Sequence, residues 1–391
     1  MQWNKYYTIL ASAFFITLLI FYPFIIQAQE VTPKEGEKNT LDFNETFFQP
    51  NIISPLDFFH LWSVEPLENI DTISKNIRLE SNISNKTNYQ KIFDFGEPVN
   101  SFKISPDEQY LAYYSLASSK LIVVDLNEKR IIWQCPYDIP YFAWKPNVEG
   151  NILTYINKKN VGFEILNFDI KTLASNRLLQ ESENNSFVYD LSWSPKGTYL
   201  ALIIITGLED SHGYSQLKLF NSSGQSLNHK IIDLNFLDWS KDEKYLVYSK
   251  FTQEDFSESI VEFLNFENNN IFAIPEEEGI QICPIFSPDD KHILYSTVNK
   301  LKHNVYYYNY IDNQKVPIIQ DSKFISNLAW LTNGNLLFTQ NMTDIGILNM
   351  YNKGLFVIDK GYVPTIVNDN IYYLKPDYEE QKTELFKYSN K

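Results

Sequence analysis

Five histidines, two cysteines and several clusters of carboxylates are the side chains with chemistry to offer in this 391-residue chain. His60, His212, His229, His292 and His303 are scattered, and none sits in an HExxH string. CxxCH haem attachments and Walker loops are also missing, so the ready-made zinc, haem and nucleotide motifs are absent. The nearest string to a nucleophile elbow, Gly213-Tyr214-Ser215-Gln216-Leu217, lacks the closing glycine and precedes a strand instead of following one. Cys135 and Cys283 are too few for a disulfide framework or a paired-CxxC zinc site, and both read as buried free thiols. No cofactor is expected. A metal stays undetermined: His212 and His303 could share one from two loops of a ring, or be ordinary surface residues. The most suggestive groups are acidic, namely Glu209 and Asp210, then Glu254, Asp255 and Glu258, then Glu276 to Glu278, then Glu379 and Glu380. Carboxylates gathered on one rim focus a negative field and attract a cation or a basic partner, while the plainer role is a solvated face that keeps an acidic protein soluble.

The elements that position these residues follow from composition and repeat. At 44% hydrophobic, 16% aromatic and 21% charged, the chain can bury a large core and lies far from disordered compositions. Its 33 basic against 48 acidic side chains, a net charge of -15, exclude nucleic acid as a partner, because phosphate neutralisation needs clustered Lys and Arg.

Thr8 to Ile26 is uncharged and almost wholly apolar behind Lys5, which makes residues 1–28 a signal peptide cleaved after Ala28 or an uncleaved anchor over residues 8–26. The positive-inside rule gives both the same orientation, with everything beyond residue 28 across the membrane in the periplasm or secreted. Membrane contact is expected only through this segment. Residues 29–88 read as a linker whose one regular element is a short helix over Leu56 to Trp62.

From residue 89 the chain repeats. Segments such as "VNSFKISPDEQYLAYYS", "VYDLSWSPKGTYLALII" and "ICPIFSPDDKHILYS" place a bulky residue before a turn at Ile104, Trp144, Trp193, Trp239, Phe286 and Trp330, with a degraded seventh copy at Val363 to Lys375. Each copy reads as strand, Ser-Pro-type turn, strand, variable loop, strand, polar turn, strand, because Pro presets one dihedral and Asp, Asn or Gly tolerates the rest of the reversal. Four short strands in roughly 45 residues is the period of a propeller blade. The last copy lacks a fourth strand and Tyr89 to Phe95 is a spare one, so this segment is expected to close the ring by pairing with the last blade. The expectation is an all-β, seven-bladed β-propeller over residues 89–391. The periodic tryptophans read as packing between blades.

The strings "SPDEQYLAYYS", "SPKGTYLAL" and "SPDDKHILYS" resemble the WD-repeat-like blade motif of TolB-type propellers and of the propeller domains of prolyl-oligopeptidase enzymes. The resemblance implies the fold and is nearly silent on activity, since the motif encodes a turn. Two function classes follow. One is a non-enzymatic scaffold presenting loops to a protein or cell-envelope component of basic character. The other is a lactonase or glycoside-active enzyme using the central cleft. The scaffold is favoured, because the innermost strands carry only Asp190 and Asp238 where such enzymes need a metal cluster or paired carboxylates. The expected binding face comprises Glu209, Asp210, His212, Glu254, Asp255, Glu258 and His303.

Overall fold

The computed structural model describes residues 78–79 and 88–389, apart from 100, 136–140, 147–150, 160, 183–185, 207–213, 253–257, 276–278, 300–301, 323–324 and 341–342. The export segment, its cleavage point after Ala28 and nearly all of the 29–88 linker therefore lie outside the described residues. Among the described residues no helix is long and apolar enough to cross a membrane.

The strands are β1 (Arg78–Leu79), β2 (Tyr89–Asp94), β3 (Phe102–Ile104), β4 (Tyr110–Ser115), β5 (Lys120–Asp125), β6 (Arg130–Gln134), β7 (Phe142–Lys145), β8 (Ile152–Lys158), β9 (Phe163–Asp169) and β10 (Ala174–Glu181). They continue as β11 (Phe187–Trp193), β12 (Tyr199–Thr206), β13 (Tyr214–Asn221), β14 (Ser226–Ile232), β15 (Leu234–Trp239), β16 (Tyr245–Phe251), β17 (Ser259–Asn265), β18 (Ile271–Ala273), β19 (Ile280–Phe286) and β20 (His292–Asn299). The rest are β21 (Lys302–Asn309), β22 (Gln314–Ser322), β23 (Ile325–Trp330), β24 (Leu336–Gln340), β25 (Asp344–Leu348), β26 (Gly354–Lys360), β27 (Tyr362–Val367), β28 (Asn370–Asp377) and β29 (Lys382–Ser389).

Burial along these strands explains their stacking. In β4, β8 and β24 nearly every consecutive residue is buried, which for a period-2 element means that both faces are covered. Outer strands such as β6 and β18 are mostly exposed. Apolar clusters accordingly lie between successive sheets: Ala112, Tyr114, Leu121 and Val123 pack with Phe142, Trp144, Leu153 and Phe168, and Ile165 and Phe163 pack with Trp193, Leu200 and Leu202. The fold is an all-β propeller of four-stranded blades.

Hydrogen bonding gives five separate blade-sized sheets, not the seven expected: four have four strands, and β23–β26 gain β1 as a fifth. The remaining strands, β15 to β22, form one eight-stranded sheet. The join has a local cause. β18 pairs only with Glu262 to Leu264 of β17, leaving the edge at Ser259 to Val261 to the next repeat. Ser259 pairs in parallel with Ile280, its hydroxyl donates to the Gln281 carbonyl at 2.6 Å, and the fully buried Gln281 amide oxygen accepts the Val261 N–H at 2.9 Å. A buried backbone edge must be paired, and here the neighbouring repeat pairs it. Two further boundaries differ from expectation. The fourth strand expected from His229 to Leu234 is Ser226–Ile232, because Asp233 adopts φ 59° and ends it. The linker contributes β1, which covers the outer edge of β26 through Arg78↔Gly354 and Leu79↔Leu355.

Closure occurs as the spare strand suggested, with β2 antiparallel to β29 from Tyr89↔Tyr388 to Asp94↔Glu384. The Ser-Pro turns add a second kind of joint. In them the serine hydroxyl accepts the N–H five residues on (Tyr110, Tyr199, Tyr245 and His292, 2.9–3.1 Å). The residue three after the serine donates its N–H back and takes a left-handed φ, 61° at Glu108, 66° at Glu243 and 54° at Asp290. Its side chain then reaches the turn of the preceding repeat. Glu243 accepts from the Ser194 hydroxyl at 2.5 Å and the Lys196 N–H at 2.6 Å, and Asp290 from the Lys241 and Asp242 N–H groups at 2.7 and 2.9 Å. Asp369, with φ 64°, accepts the Thr332 N–H at 3.0 Å, and Asn151, with φ 55°, donates to Asp107 at 2.5 Å. Glu108 joins the first repeat to the last, accepting from Asn370 at 3.0 Å, Asn368 at 3.1 Å, Lys387 at 2.7 Å and the Tyr372 hydroxyl.

Burial alone would raise the Glu108 carboxyl, but Lys387, Tyr372, Asn370 and Asn368 outweigh it and hold it below its ordinary value of 4.5. Replacing Glu108 with Ala is expected to cost about 2 kcal/mol in urea unfolding, because it strands several partly buried donors at the ring junction. A depressed carboxylate contributes above its unfolded value and loses that contribution as pH falls through the folded one. The two proteins should therefore converge in stability below pH 4.5. Equal urea midpoints at neutral pH would show that β2–β29 pairing closes the ring unaided.

Candidate functional site: the loop face and the innermost strands

Strand order sends the second-to-third and fourth-to-first connections out on the face opposite the Ser-Pro turns, and Glu258, Glu379 and Glu380 belong to the former. Glu209, Asp210, His212, Glu254 and Asp255 lie outside the described residues, as do Glu276 to Glu278. Glu258 is exposed just ahead of β17, and its carbonyl accepts the Thr252 N–H at 3.1 Å, which ties the base of that connection. Glu379 and Glu380 are exposed and donate their N–H groups to Asp377 at 3.1 Å. Glu380 also pairs with Lys382, so part of that charge is neutralised locally.

His303 is not on this face as a loop residue. Only residues 300–301 separate β20 from β21, and His303 lies within β21 opposite Val298 and Ser322. It shares the inward side with Val305, at 5% exposure, and burial pushes its imidazole down to about 4. A neutral, enclosed imidazole does not serve a solvent-facing binding rim. Cys135 is buried, whereas Cys283 is a half-buried thiol at a bulge in β19 where φ is 52°. Burial pushes the Cys283 thiol up to about 12, which leaves it without thiolate reactivity.

The innermost strands β11, β15, β19 and β23 carry bulges within their pairing to the second strand, between Val188 and Asp190, Asn235 and Leu237, Ile282 and Ile285, and Ser326 and Ala329. Bulges re-aim side chains. Asp238 accepts the Phe286 N–H at 2.8 Å, bridging the two halves of the eight-stranded sheet. Burial raises its carboxyl to about 7, with Asp290 adding to the rise and the Phe286 and Trp239 N–H groups opposing it. Asp190 is likewise raised by burial, against Lys103 and the Leu191 N–H. These are two carboxyls biased toward the neutral form, each tied to backbone. Among the described residues no three His, Cys, Asp or Glu side chains gather in a way that could hold a metal ion.

The joint carboxylates Glu108, Glu243, Asp290 and Asp369 escaped the sequence reading, although a polar residue at a fixed offset in successive turns was the available signal. A cleft of about 430 Å3 between the eight-stranded sheet and β23–β26 escaped it too.

No family model matches the chain, and no curated protein does. Solved structures share its fold. An oligogalacturonate lyase in complex with manganese superposes with a TM-score of 0.58 at 14% identity, covering 77% of this chain and 90% of that one. Oligogalacturonate lyase from Vibrio parahaemolyticus gives 0.56 at 12% identity over 81% and 97%. TolB from Acinetobacter baumannii is looser, 0.43 at 10% identity over 73% and 78%. The class is thus the β-propeller, the architecture that the Ser-Pro turn motif resembles.

Asp238 generates a pH prediction. A carboxyl raised in the folded state weakens folding as pH climbs from its ordinary 3.8 to the folded value of about 7, because the unfolded chain releases the proton first. Asp238→Asn keeps an acceptor for Phe286 and removes the charge. Its unfolding free energy should stay flatter across that window than that of the natural protein. Parallel pH profiles for the two would show that Asp238 is solvated and ionised throughout.

Proposed function

We propose that this protein is an exported, non-enzymatic scaffold whose acidic loop face binds a basic protein or cell-envelope component. The observation carrying this reading is how carboxylates divide between the two faces. On the Ser-Pro-turn face Asp107, Glu108, Glu243, Asp290 and Asp369 are occupied by bonds between repeats. Glu258 is exposed and its carboxylate takes part in no such joint among the described residues, so its field, with that of the acidic residues near it in sequence, is available to a partner. The connections 207–213 and 253–257 are also longer than strand closure requires, which supports a working surface there. In this reading the eight-stranded sheet acts as two blades joined at Ser259 and Ile280, giving a seven-bladed ring. The segment Thr8 to Ile26 delivers that ring across a membrane and either leaves it free or tethers it.

Replacing Glu209, Asp210, Glu254, Asp255 and Glu258 with Ser or Gln should leave the thermal midpoint nearly unchanged, since exposed carboxylates contribute about 0–1 kcal/mol each. Capture of the partner from envelope extracts should weaken, most at low salt, where screening is least. Retained capture at low salt, with loss on substitution of the turn face, would place the interface on the other side. Turnover of a lactone or glycoside panel abolished by Asp190→Asn or Asp238→Asn would replace the scaffold with an enzyme of the central cleft.

A further inference from the structure

The cleft of about 430 Å3 opens on the Ser-Pro-turn face, where two repeats meet without a joint side chain. On one side stand the turn Ser287 to Asp289, Tyr307, and Val316 and Ile318 of β22. Trp330, Gly334, Met350 and Lys353 form the other. At the equivalent left-handed position the neighbouring repeats carry Asp290 and Asp369, each crossing to the turn before it. Here the residue is Gly334, with φ 79°, and a Cβ built on it would meet nothing within 4 Å. Gly197 holds the same turn position, but there the Pro146 carbonyl lies 2.9 Å from a built Cβ, whereas at Gly334 the space stays open.

Its chemistry is asymmetric. The lining is largely apolar, and Tyr307 is held rigidly, stacked on His292 at 4.3 Å and edge-on to Trp330 at 6.0 Å. One cationic donor lines the cleft without an acidic partner, Lys353, and one N–H enclosed behind the lining, that of Trp330, lacks an acceptor. The Trp330 indole N–H is buried without a hydrogen-bond partner, whereas the corresponding N–H groups of Trp144 and Trp193 reach the preceding repeat at the Lys103 carbonyl (3.0 Å) and the Thr154 hydroxyl (2.9 Å). Trp239 shares the unpaired N–H, but Tyr199 and Phe266 stack against it. Lys353 has no carboxylate within ion-pair distance among the described residues, in a protein of net charge -15, and burial alone lowers its pKa. The one carboxylate at the rim, Asp289, is engaged by the Ser287 hydroxyl at 2.5 Å, the Lys291 N–H at 3.2 Å and His292 at 3.4 Å.

We propose that this cleft binds a small organic carboxylate with an aromatic or branched apolar body. The acid group faces Lys353, and the body lies against Tyr307, Trp330, Ile318 and Met350. A cation-bearing ligand would meet Lys353 with like charge, and a neutral one would leave it without a counter-charge. Asp289 repels an anion from its own side, which fixes the orientation. A single aromatic ring fills a cavity of about 150 Å3, so ring and carboxylate fit together here.

The test is calorimetric titration of the full chain with phenylacetate, phenylacetamide and phenethylamine. Phenylacetate should bind at least roughly tenfold more tightly than the amide or the amine, as a charge-assisted contact in a partly dry site requires. Lys353→Met should abolish that preference, and Trp330→Phe, which keeps a ring in the wall, should preserve it. Gly334→Asp, a residue type that neighbouring turns hold at this φ, should fold with an unchanged thermal midpoint and block binding. Glu258→Gln should change nothing, which separates this site from the acidic loop face. Absence of phenylacetate binding, equal binding of the three probes, or an unaltered preference in Lys353→Met would overturn the proposal. So would binding of a peptide with a C-terminal phenylalanine while free phenylacetate fails, which would assign the cleft to a chain terminus.

Discussion

The structure depends on a single recurrent contact, a left-handed turn residue that reaches back to the turn of the preceding repeat. A propeller sheet cannot stand alone, because its second strand is buried on both faces and needs a neighbour on each side. Apolar packing supplies the cohesion but is non-directional, and two twisted sheets could slide on one another at little cost. Hydrogen bonds such as Glu243 to Ser194 and Asp290 to Lys241 fix the angle at which sheets meet. The left-handed dihedral is what aims these side chains sideways, and it is tolerated because Asp and Asn adopt it readily and Glu is held there by its partners.

Closing the ring raises the demand on this contact. Each other joint links repeats adjacent in sequence, whereas the last must bring Glu108 to Asn370, Tyr372 and Lys387 more than 260 residues away. Chain connectivity cannot help there. The junction therefore carries the densest polar contacts of the set, together with a strand from one end of the repeat region pairing with the other.

Function follows from where the contact is present and where it fails. Where carboxylates serve as joints their oxygens are engaged by backbone and side-chain donors. On the opposite face Glu258 is exposed and its carboxylate forms no such joint among the described residues. At Gly334 the joint is missing, and a cleft lined by Tyr307, Trp330 and Lys353 takes its place. The same turn geometry thus yields structural carboxylates at one joint and a binding cleft at another.

Much of this was legible in the sequence. Turn chemistry and alternation are local, so "SPDEQYLAYYS" and its relatives announced the strand pairs, their period and the propeller class without reference to any distant residue. Tyr89 to Phe95 revealed itself as the closing strand by simple count. What tertiary structure decided were the matters of contact between repeats. Gln281 became the bridge that fuses two sheets only because β18 is short. His303 became a core residue because its hairpin is tight, although in sequence it looked like part of an open loop. Glu243 meets Ser194 across 49 positions, and no pattern inside one repeat says which side chain of the next will touch it. Strand and turn propensities are set within a few residues of chain, whereas pairing across a joint depends on the register and tilt of two finished sheets.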